Sequence, residues 1–164
     1  QSKKEDLFLG GIGMSDLSLF KAFLVEAKKN SYNGRNKKVQ SSKPNSDDFT
    51  FKKYDYYYLD SHIGKQRFIG QEVIWKDEKS YWGMNYAGKL LTNDIPSGFS
   101  DFLSEALSRV SEDAPYRGPK SFRKSDFEYQ CLWKGEVDSF KGEEFISYKG
   151  SPIFKLDFHG GTIK

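Results

Sequence analysis

The chain has one cysteine, Cys131, and two histidines, His62 and His159, among its 164 residues. A single thiol excludes an internal disulfide framework and makes a reducing cytoplasm the expected compartment. Neither a Cys-x-x-Cys pair nor a His-Glu-x-x-His helix can be written with these donors, so a structural zinc site is excluded and no cofactor is expected. Long apolar runs are missing too. None approaches the roughly 20 residues of a spanning helix, and the N-terminus lacks the apolar core of a signal peptide, so no membrane partner is expected. Charge of one sign is not in large excess: the net charge is +3, too weak a field to mark a polyanionic partner by itself. Acid is absent locally, however, between Lys28 and Lys43, where Lys28, Lys29, Arg35, Lys37, Lys38 and Lys43 follow one another without a carboxylate.

What the chain does have is aromatic side chains, with 14 Phe, 10 Tyr and 3 Trp, a heavy load for a sequence that is 30% charged. It also has an internal echo. Phe68, Gly70, Glu72, Ile74 and Gly88 recur as Phe140, Gly142, Glu144, Ile146 and Gly160 at one constant spacing. Upstream, Phe20, Phe23, Leu24, Glu26 and Ala27 recur as Phe99, Phe102, Leu103, Glu105 and Ala106. Two copies are too few for a solenoid, so the expectation is one pseudo-twofold domain over residues 14–164, built of repeats at about 15–91 and 94–164. Residues 1–13 read as a leader or linker, with Gln1 and Ser2 resembling a cleavage-site remnant and Met14 a candidate start.

Ser15 can cap a first helix carrying the stripe Leu17, Phe20, Phe23, Leu24 and Ala27, and the polar stretch from Asn30 to Asn45 should end it. Period-two patterning predicts strands at Phe49–Leu59, Arg67–Trp75 and Tyr81–Leu90. In the second half the pattern predicts a helix at Phe99–Val110, a loop holding Pro115 and Pro119, and strands at Phe127–Trp133, Ser139–Tyr148 and Pro152–Phe158, with Gly160-Gly161 releasing the tail. The expected fold class is α+β: a helix plus three strands, duplicated, forming a mostly antiparallel sheet packed with two helices. Alternation places Trp82, Met84 and Tyr86 toward the helices, and Tyr81, Asn85 and Asp157 on the other face with Glu72 and Glu144 as neighbours. Cys131 alternates with Phe127, Tyr129 and Trp133, as a small buried hydrophobe does.

The segments Phe23–Lys29, Phe68–Glu72, Met84–Gly88, Pro115–Pro119 and Phe158–Gly161 together resemble a bacterial domain family of unknown function. Its members stand alone or follow an Xre-type helix-turn-helix, and the resemblance spans Leu19–Lys164. It implies a regulatory context. A looser architectural analogy connects the chain to GyrI-like effector domains, which bind small molecules in a cleft between duplicated modules.

These readings point to a non-enzymatic, small-molecule-sensing domain. The candidate ligand-binding residues are Glu72, Glu144, Tyr81, Trp82, Asn85, Arg117, Asp157 and His159: acids for charge pairing, rings for packing, Arg117 for a forked contact to carboxylate or phosphate. A protein partner is a further expectation. The alternatives are nucleic-acid binding through Lys28, Lys29, Arg35, Lys37, Lys38 and Lys43, and an acid-base enzyme using the two glutamates as a coupled pair.

Overall fold

The computed structural model describes residues 8–9, 12–13, 15–32 and 38–164. In chain order the elements are β1 (Phe8–Leu9), β2 (Ile12–Gly13), α1 (Asp16–Tyr32), β3 (Lys38–Val39), β4 (Asp47–Lys53), β5 (Tyr56–Gly64), β6 (Arg67–Lys76), β7 (Lys79–Leu90), α2 (Phe99–Leu107), β8 (Ser121–Lys124), β9 (Phe127–Glu136), β10 (Ser139–Tyr148) and β11 (Ser151–Thr162). β1 and β2 pair with each other, and the rest of the segment read as a leader lies outside the described residues. The other nine strands form one antiparallel sheet in the order β3-β4-β5-β6-β7-β11-β10-β9-β8.

This arrangement corrects the expected helix-plus-three-strand unit. A four-stranded meander follows each helix, β4–β7 after α1 and the two-residue β3, and β8–β11 after α2 with β8 only four residues long, and the two meanders join where β7 pairs with β11. Three strands of this sheet escaped the sequence reading, one of them β3, inside the stretch read as loop. The stretch read as one strand from Phe49 to Leu59 folds back at Tyr54-Asp55, where Tyr54 takes a left-handed φ of 57°. Such a turn usually advertises itself with glycine or asparagine, and here a tyrosine hides it. Likewise, the proline loop of the second half contains β8, whose mostly exposed residues give no apolar alternation. Gly160 and Gly161 continue β11 rather than release the tail, pairing with Met84 and Gly83.

Local chemistry accounts for the remaining boundaries. Ser15 Oγ accepts a hydrogen bond from the Ser18 amide at 3.1 Å, capping α1. The helix continues to Tyr32, past the expected stop at Asn30, because Lys28 faces inward onto Glu72 of β6 and Tyr32 lies against the Arg117 guanidinium of the loop before β8. The turn Asp77-Glu78 has positive φ at both positions, which matches the right-handed twist of the β6–β7 hairpin.

Both helices cover the same face. Phe23 of α1 stacks on Tyr56 at 4.9 Å and Phe20 lies against Trp82, while in α2 Phe102 stacks on Phe127 at 4.9 Å and Phe99 meets Phe154. At the sheet centre Trp82 stacks on Phe140, and its indole N–H donates to the Val137 carbonyl at 2.8 Å. Tyr81 packs edge-on against Phe20, so it belongs to this aromatic layer and not to the opposite face.

Gly142 faces the same layer, and a Cβ there would come within 2.4 Å of the Leu132 carbonyl oxygen and 2.3 Å of the Phe158 ring. Backbone cannot move aside as a side chain can. Gly142→Ala is therefore expected to destabilise the protein by about 1–3 kcal/mol, read as a lower urea midpoint at unchanged slope. An unaltered midpoint would refute this packing.

Candidate functional site

Beneath the helices the inner face carries charge. Glu72 is buried in the middle of β6, opposite Met84 and Asp60, and Glu144 is buried in β10, opposite Leu156 and Cys131. Both glutamates thus face the helices rather than the outer face, and each is met by a cation and a tyrosine. Lys28 of α1 places Nζ 2.7 Å from Glu72 Oε2, and the Tyr58 hydroxyl donates to Glu72 Oε1. Arg117 forks onto Glu144 through Nε and Nη2, both at 3.0 Å, and the Tyr129 hydroxyl donates to Glu144 Oε2 at 2.5 Å. Lys28 Nζ also donates to the Tyr116 carbonyl at 2.6 Å, so one continuous chain of contacts runs from Glu72 through Lys28 and the peptide ahead of Arg117 to Glu144.

Burial lowers the Lys28 pKa even though Glu72 holds it charged. For Arg117 burial acts in the same direction, but the charge and hydrogen bonds of Glu144, with the neighbouring Tyr32 and Tyr129, together outweigh it and hold the guanidinium pKa well above its ordinary value. Burial also raises the Tyr58 and Tyr129 hydroxyls far above the usual phenol range, so both remain donors at any working pH.

A third carboxyl, Asp60, follows Tyr56 and Tyr58 on the inner face of β5. The Tyr86 hydroxyl donates to its Oδ1 at 2.6 Å. Gly70 makes this reach feasible: it lies between the two strands, and any side chain there would occupy the space of the Tyr86 ring. Burial, reinforced by the nearby Glu72 charge, pushes the Asp60 carboxyl up to about 7. The same two places around Glu144 are filled by Cys131 and Phe158, which are apolar. Burial raises the Cys131 thiol to about 12, so it is no nucleophile.

Asp60, Tyr86 and Arg117 open into a cavity of about 350 Å³ whose walls include Tyr32, Phe49, His62 and Phe68. Three of the residues that line it have hydrogen-bonding capacity unused among the described residues. The Tyr32 hydroxyl is buried with no partner, Asp60 Oδ2 accepts nothing, and Arg117 Nη1 donates nothing. The Arg117 guanidinium lies 5.9 Å from the Tyr32 ring centre and 5.7 Å from that of Tyr86, which fixes its plane.

The residues singled out from sequence are divided by the sheet. Glu72, Glu144 and Arg117 meet on the inner face, with Trp82 beneath Lys28 Nζ at 5.8 Å. Asn85, Asp157 and His159 lie on the outer face. Asn85 accepts a hydrogen bond from Gln71 at 2.8 Å, and Asp157 and His159 border an open groove with Leu132, Lys134 and Lys141. The basic stretch is not a uniform surface. Lys28 is fully buried, Lys38 pairs with Asp47, and Lys43 donates to Ser61 Oγ at 2.6 Å. Lys29 is exposed, whereas Arg35 and Lys37 lie outside the described residues. Among the described residues no group of three His, Cys, Asp or Glu could hold a metal, and no helix is long and apolar enough to cross a membrane.

Asp60, Tyr32, Tyr58, Tyr86 and Tyr129 were missed as site residues, although the sequence carried a signal for Asp60 and for the burial of Lys28. Lys28 continues the Phe20, Phe23, Leu24, Ala27 stripe at helical spacing, which announces a buried cation in need of a carboxylate. Asp60 continues the Tyr56, Tyr58 alternation in the same manner.

Fold and site define an α+β domain in which one antiparallel sheet and two helices enclose paired charges beside a small polar cavity. Residues 60–163 match the family model described as "Domain of unknown function (DUF5680)", and the chain belongs to that family. No curated protein and no solved structure matches the chain.

Two outcomes follow from this geometry. Arg117→Met, which strands a buried Glu144, is expected to destabilise by about 3–5 kcal/mol, and Arg117→Met/Glu144→Leu to recover much of that loss; additive losses on urea denaturation would show that the pair is not coupled. Asp60 titrates higher in the folded chain, at about 7, than the roughly 3.9 of an unfolded aspartate. The folded state therefore binds the extra proton, and stability falls as pH rises through that window. Asp60→Asn should remove the fall, leaving the variant more stable relative to wild type at pH 8 than at pH 5.

Proposed function

We propose that the protein is a non-enzymatic small-molecule-sensing domain and that its ligand enters the cavity between Tyr32, Asp60, Tyr86 and Arg117. The observation that carries this reading is the Tyr32 hydroxyl, buried against the cavity without a partner. A buried polar group left unpaired costs about 1–3 kcal/mol, which a bound ligand relieves. Arg117 Nη1 offers a donor beside it and Asp60 Oδ2 an acceptor, so the fitting ligand is compact and presents both functions. At about 350 Å³ the cavity lies within the range of small-molecule sites.

An acid-base role for the paired glutamates finds no support in this arrangement. Each is fully buried and neutralised by its own cation, and neither lines the cavity. The asymmetry around the two glutamates favours a single binding site: Asp60 and Tyr86 flank one, Cys131 and Phe158 the other. The resemblance to domains that follow Xre-type regulators supplies a context in which such binding would be read out.

The test is a thermal-shift screen of metabolites against the wild type, Tyr32→Phe and Asp60→Asn. Tyr32→Phe removes a hydroxyl that has no hydrogen-bond partner among the described residues, so its own melting temperature should hold or rise while the ligand-induced shift shrinks. A ligand at 100 times its Kd stabilises by roughly 2.7 kcal/mol, which is readily detected. The reading fails if no compound shifts the wild type, or if every hit shifts all three proteins equally.

A further inference from the structure

The outer face, opposite the helices, carries a second arrangement that the cavity does not involve. Lys89 of β7 pairs in register with Arg67 of β6 on one side and with Lys155 of β11 on the other. Their neighbours Phe68, Gly88 and Leu156 take the inner face, so all three cations project outward in one cross-strand row. Strands lie about 4.8 Å apart, which confines three positive charges to about 10 Å of sheet. Like charges placed directly opposite one another destabilise a sheet.

No carboxylate within the fold offsets them well. Among the described residues Arg67 and Lys89 form no ion pair, and Lys155 has only Asp157, at 3.9 Å. Two positions along the same strands runs a second row, in which Ile63 pairs with Ile69, Ile69 with Ala87, and Ala87 with Asp157. Ile69 is 63% exposed, the highest value among the exposed large apolar residues. The two rows together line a cavity of about 500 Å³ with a cationic side and an apolar floor.

We propose that this face binds a phosphorylated small molecule of nucleotide size. The phosphates lie across Arg67, Lys89 and Lys155, where Arg67 contributes a planar fork and the lysines point charges. The apolar or aromatic body rests on Ile63, Ile69 and Ala87, and Asp157 at the end of that row accepts from a hydroxyl or amino group. Nothing in this assignment depends on the inner cavity.

The experiment is isothermal titration of the full chain at low salt with ATP as probe, beside adenosine, inorganic phosphate and a short single-stranded oligonucleotide. ATP is expected to bind at one site and more tightly than adenosine or phosphate alone, with affinity falling as salt rises. Lys89→Gln should weaken it on the order of tenfold, the loss typical of one charge-assisted contact, and Ile69→Asp should weaken it as well. Lys134→Gln, which removes a cation elsewhere on the outer face, should leave it unchanged. Absence of ATP binding, equal binding by wild type and Lys89→Gln, or binding of the oligonucleotide without ATP would each overturn the assignment, the last by giving the row to nucleic acid.

Discussion

Two carboxylates buried under the helices set the terms for the whole domain. An ionised glutamate taken out of water is costly unless a cation and further donors surround it, and here neither cation comes from the sheet. Lys28 is delivered by α1 and Arg117 by the loop before β8, while Tyr58 and Tyr129 supply the remaining hydrogen bonds. The lysine also holds the carbonyl of Tyr116, next to Arg117, so both pairs share one clamp. That clamp fixes α1 against β6 and the loop against β10, and with them the position of Tyr32 over the cavity. Aromatic packing surrounds it without specifying it, since rings tolerate many mutual tilts whereas a forked guanidinium on a carboxylate tolerates few.

The cavity exists because the inner face is not uniformly filled. Around Glu144 the neighbouring positions are Cys131 and Phe158, which close the layer with apolar volume. Around Glu72 they are Asp60 and Tyr86, which leave an acceptor facing a space with Arg117 and Tyr32 on its other walls. Three carboxyls then share two buried cations, and the surplus is borne by Asp60, whose burial beside Glu72 lets it take up a proton near neutrality. The charge state of this cavity therefore responds to pH near neutrality through Asp60.

The two faces of the sheet divide the chemistry. On the inner face charge is matched and shielded; on the outer face, among the described residues, Arg67 and Lys89 have no ion pair and Lys155 only a long one to Asp157. Because both meanders join in one sheet and both helices are committed to its inner side, neither helix covers the outer surface. Residues that alternate along one strand consequently serve different ends: the Phe68 ring packs against Tyr86 and Phe154 of the inner layer, while Arg67 and Ile69 on either side of it face outward.

Much of the secondary structure was legible in the sequence. The stripe from Phe20 to Ala27 and the Ser15 cap identified α1, and alternation identified β6, β7, β9, β10 and β11, because these depend on near neighbours along the chain. Glu72, Glu144 and Arg117 also stood out by their positions beside recurring glycines and turns. The extra strands did not, since Tyr54 in a left-handed turn and the exposed β8 leave no compositional trace. Nor could sequence pair Lys28 with Glu72 across 44 residues, or Arg117 with Glu144 across 27. Those partners are chosen by strand register and by the placement of α1 and the 115–119 loop over the sheet. The sequence by itself determined the two helices, most of the long strands, and that an aromatic core would back a mostly antiparallel sheet. Only the tertiary structure decided which carboxylates are neutralised, which one remains free to titrate, and which cations stand without a partner, because electrostatic pairing depends on distances that no local pattern encodes.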